Sequence, residues 1–118
     1  ADPATAPYGA AAMETIDKLG LGAALTPKLV TGENISQTLQ FIKSGNAELG
    51  FVALSQVAGK SAPEIWLVPA EDYAPILQDA VLLRAGEGNP AAAAFLAFLK
   101  SDEARAIIEA YGYEMGAN

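Results

Sequence analysis

Asn34 and Gln37 stand three residues apart in the stretch TGENISQTLQ, residues 31–40, just ahead of an apolar-periodic run. An Asn at the N-cap with a Gln three residues on approximates a capping box, in which the Asn side chain takes one of the orphan amides of the first turn. The other first-turn amides, that of Ile35 among them, stay free to bond elsewhere. A helix N-terminus carries a partial positive charge, so an anion is a natural partner, although water takes these amides at most surface helices. APYGAAA, residues 6–12, offers a second such place. Pro7 stiffens it, Gly9 permits close approach of a backbone or a ligand, and the first amides of the helix that follows point back toward Tyr8. Two helix N-termini, each following a strand end, converge if both helices flank one parallel sheet. Ligands of open α/β sheets sit outside the carboxyl ends of the strands.

The other chemistry-bearing residues form no comparable arrangement. There is no His and no Cys, which removes imidazole bases, thiol chemistry and thiolate or imidazole metal sites. Ser55 has no His to activate it, and a Ser–Lys pair with Lys60 has only nearness in sequence in its favour. Glu64, Glu71 and Asp72 read as solvated, and Asp102 and Glu103 as first-turn helix residues. Trp66 in EIWLV reads as a core or interface residue. No Gly-rich phosphate loop occurs. Catalysis is therefore not expected, and no cofactor is implied.

The elements that must position the two N-termini follow from the apolar spacing. Of the 118 residues 52% are apolar and 18% charged, with a formal net charge of −7. That charge argues against nucleic acid and against an anionic membrane surface, and no apolar run approaches the roughly 18 residues of a membrane span. The chain opens at Ala1 with no Met, which reads as processing or as a piece of a longer protein. The spacing predicts helices at 9–19, with Ala12, Ile16 and Leu19 on one face; at 35–44, with Ile35, Leu39 and Ile42 on one face; at 90–100 behind Asn89 and Pro90; and at 102–111 behind Ser101 or Asp102. Strands are expected at 28–30, 48–54, 64–69 and within 77–86, with 48–54 buried. Strands alternating with helices predict an α/β domain with a mostly parallel sheet, followed by two helices with no strand between them.

Three stretches carry a family resemblance: ADPATAPYGAAAMETIDKLGL, LTPKLVTGENISQTLQFIKSGNAELGFVALSQV and FLAFLKSDEARAIIEAYGY. In order, and across essentially the whole chain, they resemble the periplasmic molybdate-binding proteins, the ModA family of ABC-transporter solute receptors. The resemblance implies a type II periplasmic-binding-protein-like fold of two α/β lobes with the oxyanion in the cleft. It places residues 1–85 in the second lobe and assigns 86–118 to a C-terminal helical segment that returns to the first lobe. The serine or threonine ligands of the family's first lobe are absent. By motif position the second-lobe ligands fall on Tyr8 in APYG and Ile35 in ENIS, mainly through backbone N–H. Ala53 stands where some members place a tyrosine that also contacts the anion. The implied function is binding of molybdate or tungstate for uptake through an ABC transporter, with periplasmic location and with the permease and the first lobe as partners. Another tetrahedral oxyanion such as sulfate, or an effector-binding or interaction domain without a transport role, are the alternatives. Without the first lobe, Phe95, Phe98, Leu99, Ile107, Ile108 and Tyr111 would form an apolar surface, and a homo-oligomer, exchanging elements across a two-fold axis, is expected to cover it.

Overall fold

The computed structural model describes residues 1–59 and 65–116. Five α-helices are found among them: α1 (Pro7–Lys18), α2 (Gly22–Leu25), α3 (Ile35–Lys43), α4 (Pro90–Phe98) and α5 (Asp102–Ala110). The four longer ones match the helices expected from apolar spacing to within two residues at each end. Their starts have local causes. Pro sits at the first position of α1 and α4, where its missing N–H costs nothing. Asn89 Oδ1 accepts the Ala91 amide at 3.0 Å, and Ser101 Oγ accepts that of Ala104 at 3.2 Å. Ser101, not Asp102, is thus the cap of α5, and Asp102 and Glu103 occupy its first turn, where carboxylates favour the helix dipole.

The strands are the main correction. No β-ladder forms among the described residues. Residues 26–28 make a 3-10 turn, Thr26–Lys28, where a strand was expected to begin. Residues 50–53, 65–69 and 74–83 carry no regular structure, and a 3-10 turn follows each of them, at Leu54–Gln56, Ala70–Asp72 and Arg84–Gly86. Residue 64 lies outside the described residues. The physical reason is separation. Parts of all three segments line one open groove of about 1780 Å³, together with Ile16, Leu39 and Ile42 of α1 and α3. They face that space and exchange no backbone hydrogen bonds. The radius of gyration is 17.1 Å, above the roughly 13–14 Å of a close-packed chain this long. The stretch 48–54, expected to be buried, has only Ala53 inside, and Leu49 is 84% exposed. Trp66 is likewise exposed.

Two of these segments are laid antiparallel along helices. The first runs down α1. Thr15 Oγ1 donates to the Asp72 carbonyl at 3.4 Å, the Glu14 carboxylate accepts the Ala74 amide at 2.6 Å, and Gln78 Nε2 donates to Tyr8 Oη at 3.1 Å. Helix numbers fall as segment numbers rise. From Glu14 to Tyr8 is roughly 9 Å of helix, and four extended residues span roughly 13 Å, so the reach is sufficient. Lys18 Nζ donates to the Glu71 carbonyl and pairs with the Asp72 carboxylate at 3.5 Å. Asp72, read as solvated, is therefore a paired anchor of the turn. The second segment runs down α3, with Gly50 against the Ile42 side chain and Gln56 at Ile35. Buried side chains are few: Ile16 and Thr15 of α1, Thr38 of α3, Ala53 and Ala104.

Candidate functional site

Both laid-down segments end at a helix N-terminus, and this is where the expected site residues lie. At α3, Asn34 is extended (φ −150°, ψ 170°) and its Oδ1 accepts the Gln37 amide at 2.9 Å. Gln37 Oε1 accepts the amide of Glu33 at 2.6 Å, one residue earlier than in an ordinary capping box. The Thr38 amide goes to the Asn34 carbonyl at 3.1 Å. The Ile35 amide donates to nothing among the described residues. The Ile35 carbonyl accepts Gln56 Nε2 at 3.3 Å, and Gln56 Oε1 accepts the Ala53 amide at 3.1 Å. Gln56 thereby fixes the Leu54–Gln56 turn beside the first turn of α3.

At α1 the cap position is Ala6, extended and with no side chain to offer. Pro7 has no N–H. The amides of Gly9 and Ala10 donate to the Ala6 carbonyl at 2.9 and 3.1 Å, and that of Tyr8 donates to nothing among the described residues. Gly9 is needed for close approach: a Cβ there would lie 2.3 Å from the Ala1 carbonyl oxygen and 2.8 Å from Asp2 C. The segment held so tightly over α1 reaches the other N-terminus. The Asp2 amide donates to the Gly32 carbonyl at 2.9 Å, linking the loop before α1 to the loop before α3.

The Tyr8 side chain adds a polar cluster that its motif did not suggest. Its hydroxyl accepts Gln78 Nε2 at 3.1 Å. Tyr113 Oη donates to Ser55 Oγ at 3.1 Å. Partial burial, then the Tyr113 hydroxyl, hold the Tyr8 phenol above its ordinary pKa, while Gln78 opposes them. Tyr8 is therefore a neutral hydroxyl at physiological pH. Tyr8, Ala53, Ser55, Gln78 and Tyr113 all line the groove. Sequence reasoning singled out Tyr8 and Ile35 and missed Gln56, Gln78 and Tyr113. Ser55 was weighed only as a nucleophile. The one available signal for Tyr113 was its place after a helix-ending Gly. The notional Ser–Lys pair and the carboxylate of Glu64 cannot be placed, since Lys60 and Glu64 lie outside the described residues.

Two free amides at two positive helix ends, in loops joined by a backbone hydrogen bond, offer hydrogen-bond donors and no proton acceptor of their own. Fixed neutral donors favour a fully deprotonated oxyanion through geometry and hydrogen bonding. They provide no group to attack a substrate or to carry a proton in a reaction.

Residues 1–114 match the family described as bacterial extracellular solute-binding protein. The chain is 57% identical over 113 residues to the molybdate-binding protein ModA of Rhodobacter capsulatus, covering 96% of this chain and 45% of that protein. It is 54% identical over 116 residues to ModA of Azotobacter vinelandii, covering 96% of this chain and 46% of that one. A solved structure, the periplasmic molybdate-binding protein of Azotobacter vinelandii, superposes with a TM-score of 0.89 at 36% identity, over 98% of this chain and 52% of that one. The chain thus follows a type II periplasmic-binding fold in its backbone course, even where ladder bonds are not made, and it spans about half the length of the curated relatives it matches.

Proposed function

The chain belongs to the bacterial extracellular solute-binding protein family, and on that premise we propose that it holds a tetrahedral oxyanion, molybdate or tungstate, at the free amides of Tyr8 and Ile35. The observation that carries the reading is the pairing of these two unengaged amides across the Asp2–Gly32 hydrogen bond. The names of the relatives, both molybdate-binding proteins, support the choice of anion. In this reading the chain is the second-lobe share of a periplasmic receptor that delivers its anion to an ABC-transporter permease, and it catalyses nothing. Residues from 86 on pack against the first lobe or, in its absence, a second copy. The exposed Phe95, Phe98, Ile107 and Tyr111 support such a partner.

The test is a titration of isotope-labelled chain with molybdate, followed by amide NMR, with the Azotobacter vinelandii protein as the positive reference. The Tyr8 and Ile35 amide resonances should move together and saturate. No movement of either, or movement confined to other amides, overturns the assignment. Sulfate moving the same two amides at lower concentration than molybdate would favour a sulfate receptor instead.

A further inference from the structure

We propose that Gln56 is a positioning residue of this site: its side chain ties the Ile35 carbonyl to the Leu54–Gln56 turn and so fixes the direction in which the free Ile35 amide points. The proposal rests on the reading of Ile35 as an anion donor.

The Ile35 N–H lies in the peptide plane that also carries the Asn34 carbonyl, and a trans peptide points the two in opposite directions. That carbonyl is held from within the helix. It accepts the Thr38 amide and Thr38 Oγ1, each at 3.1 Å, and Thr38 is buried. The next plane carries the Ile35 carbonyl and the Ser36 amide. Its carbonyl accepts Gln56 Nε2 at 3.3 Å. The two planes meet at the Ile35 Cα, so holding both leaves neither torsion of that residue free to turn the donor aside. Asn34, Gln37 and Thr38 act within the first turn, whereas Gln56 reaches it from 21 positions away. A donor fixed before its anion arrives pays less ordering entropy on binding.

A long side chain can hold a helix only if its own base is held. Gln56 Oε1 accepts the Ala53 amide at 3.1 Å, and the Gln56 amide donates to the Ala53 carbonyl at 3.0 Å. Side chain and backbone thus both close on Ala53, which is 4% exposed. A buried amide is costly to leave without a partner. With its oxygen on that donor, the Gln56 carboxamide must turn its nitrogen to an acceptor, and the Ile35 carbonyl is that acceptor. The turn is seated in its turn by the exit from α5. Gly112 has φ at +83°, a conformation that side chains disfavour, and a Cβ on it would lie 2.6 Å from both Cγ and Cδ2 of Leu54. Tyr113 Oη donates to Ser55 Oγ at 3.1 Å. The first turn of α3 therefore takes its outside support from the C-terminal segment, through one side chain.

The experiment compares Gln56→Met and Gln56→Glu with the parent chain. Gln56→Met keeps the length of the side chain and loses both of these bonds. Gln56→Glu keeps the shape and the acceptor for Ala53 and loses only the donor to Ile35, so it preserves the fold and the readout if Gln56→Met does not fold. The Ile35 carbonyl carbon is followed by NMR, and molybdate binding is followed through the amides of Tyr8 and Ile35. Both variants should shift the Ile35 carbonyl carbon. Gln56→Met should weaken molybdate binding about three- to tenfold, as loss of one neutral hydrogen bond does, and Gln56→Glu at least as much. In an Ile35→Pro background, where the donor is gone, Gln56→Met should change the residual binding by less than about twofold. An unmoved Ile35 carbonyl in Gln56→Glu rejects the tie. A moved carbonyl with unchanged molybdate binding rejects the positioning role. An equal loss from Gln56→Met with and without Ile35→Pro rejects it too, because a merely structural role would weaken both alike. If the parent chain shows no response to molybdate at either amide, the oxyanion reading fails and the positioning role with it, while the Ile35 carbonyl shift still decides whether the tie exists.

Discussion

The starts of α1 and α3 do the same thing by opposite means. At α3 a side chain caps: Asn34 takes the Gln37 amide, Gln37 takes that of Glu33, and Ile35 is left over between them. At α1 nothing caps. Ala6 has no polar side chain, Pro7 has no donor, and the Tyr8 amide, an orphan of the first turn, is left free, while the backbone of residues 1–3 crosses the helix close to Gly9. The α3 start is thus defined by local side chains, whereas at α1 no side chain caps the helix and the distant Gln78 reaches only the Tyr8 hydroxyl. A pair of free donors needs no common sequence motif, only two ways of leaving an amide unused.

The largest expected effect removes the leftover donor at α3. Ile35→Pro should weaken molybdate binding by about ten- to a hundredfold, the value of one hydrogen bond to a charged group. Proline is tolerated at the first helical position, and Asn34 already has the extended backbone that a following proline requires. Unchanged affinity in the amide titration would remove Ile35 from the site. At α1 the corresponding break is steric. Gly9→Ala should lower unfolding free energy by about 1–3 kcal/mol, the usual size of a forced backbone shift, because its contacts are backbone atoms that cannot rotate away. Ser36→Ala, next after the free-amide residue of α3 as Gly9 is in α1, and solvent-exposed, should stay within about 0.5 kcal/mol. Equal denaturation midpoints for the two would erase the contrast.

Caps come next. Asn34→Ala should cost about 1 kcal/mol, while Ala6→Ser should stabilise α1 by about 0.5 kcal/mol or more, since Ala6 already holds extended dihedrals. Urea unfolding of both variants decides whether α1 is truly the uncapped member of the pair. The smallest effect is on pH. The folded state holds the Tyr8 phenol above its ordinary value of 10.0, chiefly through partial burial. The protonated form is therefore favoured by folding, and the contribution is present in full below about pH 10 and is lost as pH rises through the raised value. Stability-against-pH curves of the parent and Tyr8→Phe should run parallel, a constant amount apart, up to that region and change their separation only beyond it.

These contrasts explain what could be read from residues alone. Asn34, Asn89 and Ser101 act on amides two or three positions away, so the helix starts were legible. The motif position of Ile35 was legible for the same reason. The strands were not, because apolar runs such as FVAL and EIWLV state that a segment avoids water but not which neighbour it meets. Here they line an open groove and pair with nothing among the described residues. Gln78 and Tyr113 were illegible because their meaning depends on contacts made across most of the chain.

That dependence has a kinetic side. Gln56 finds Ile35 across 21 positions, whereas the segment laid on α1 binds it across 57, 60 and 70. Closing a loop about three times longer costs only roughly 1 kcal/mol more, but non-local contacts slow the search for them. As the chain forms, the α3 half should acquire slow-exchanging amides first and the α1 half last. On the proposed reading, the two donor amides would then be brought together only in the final step of folding.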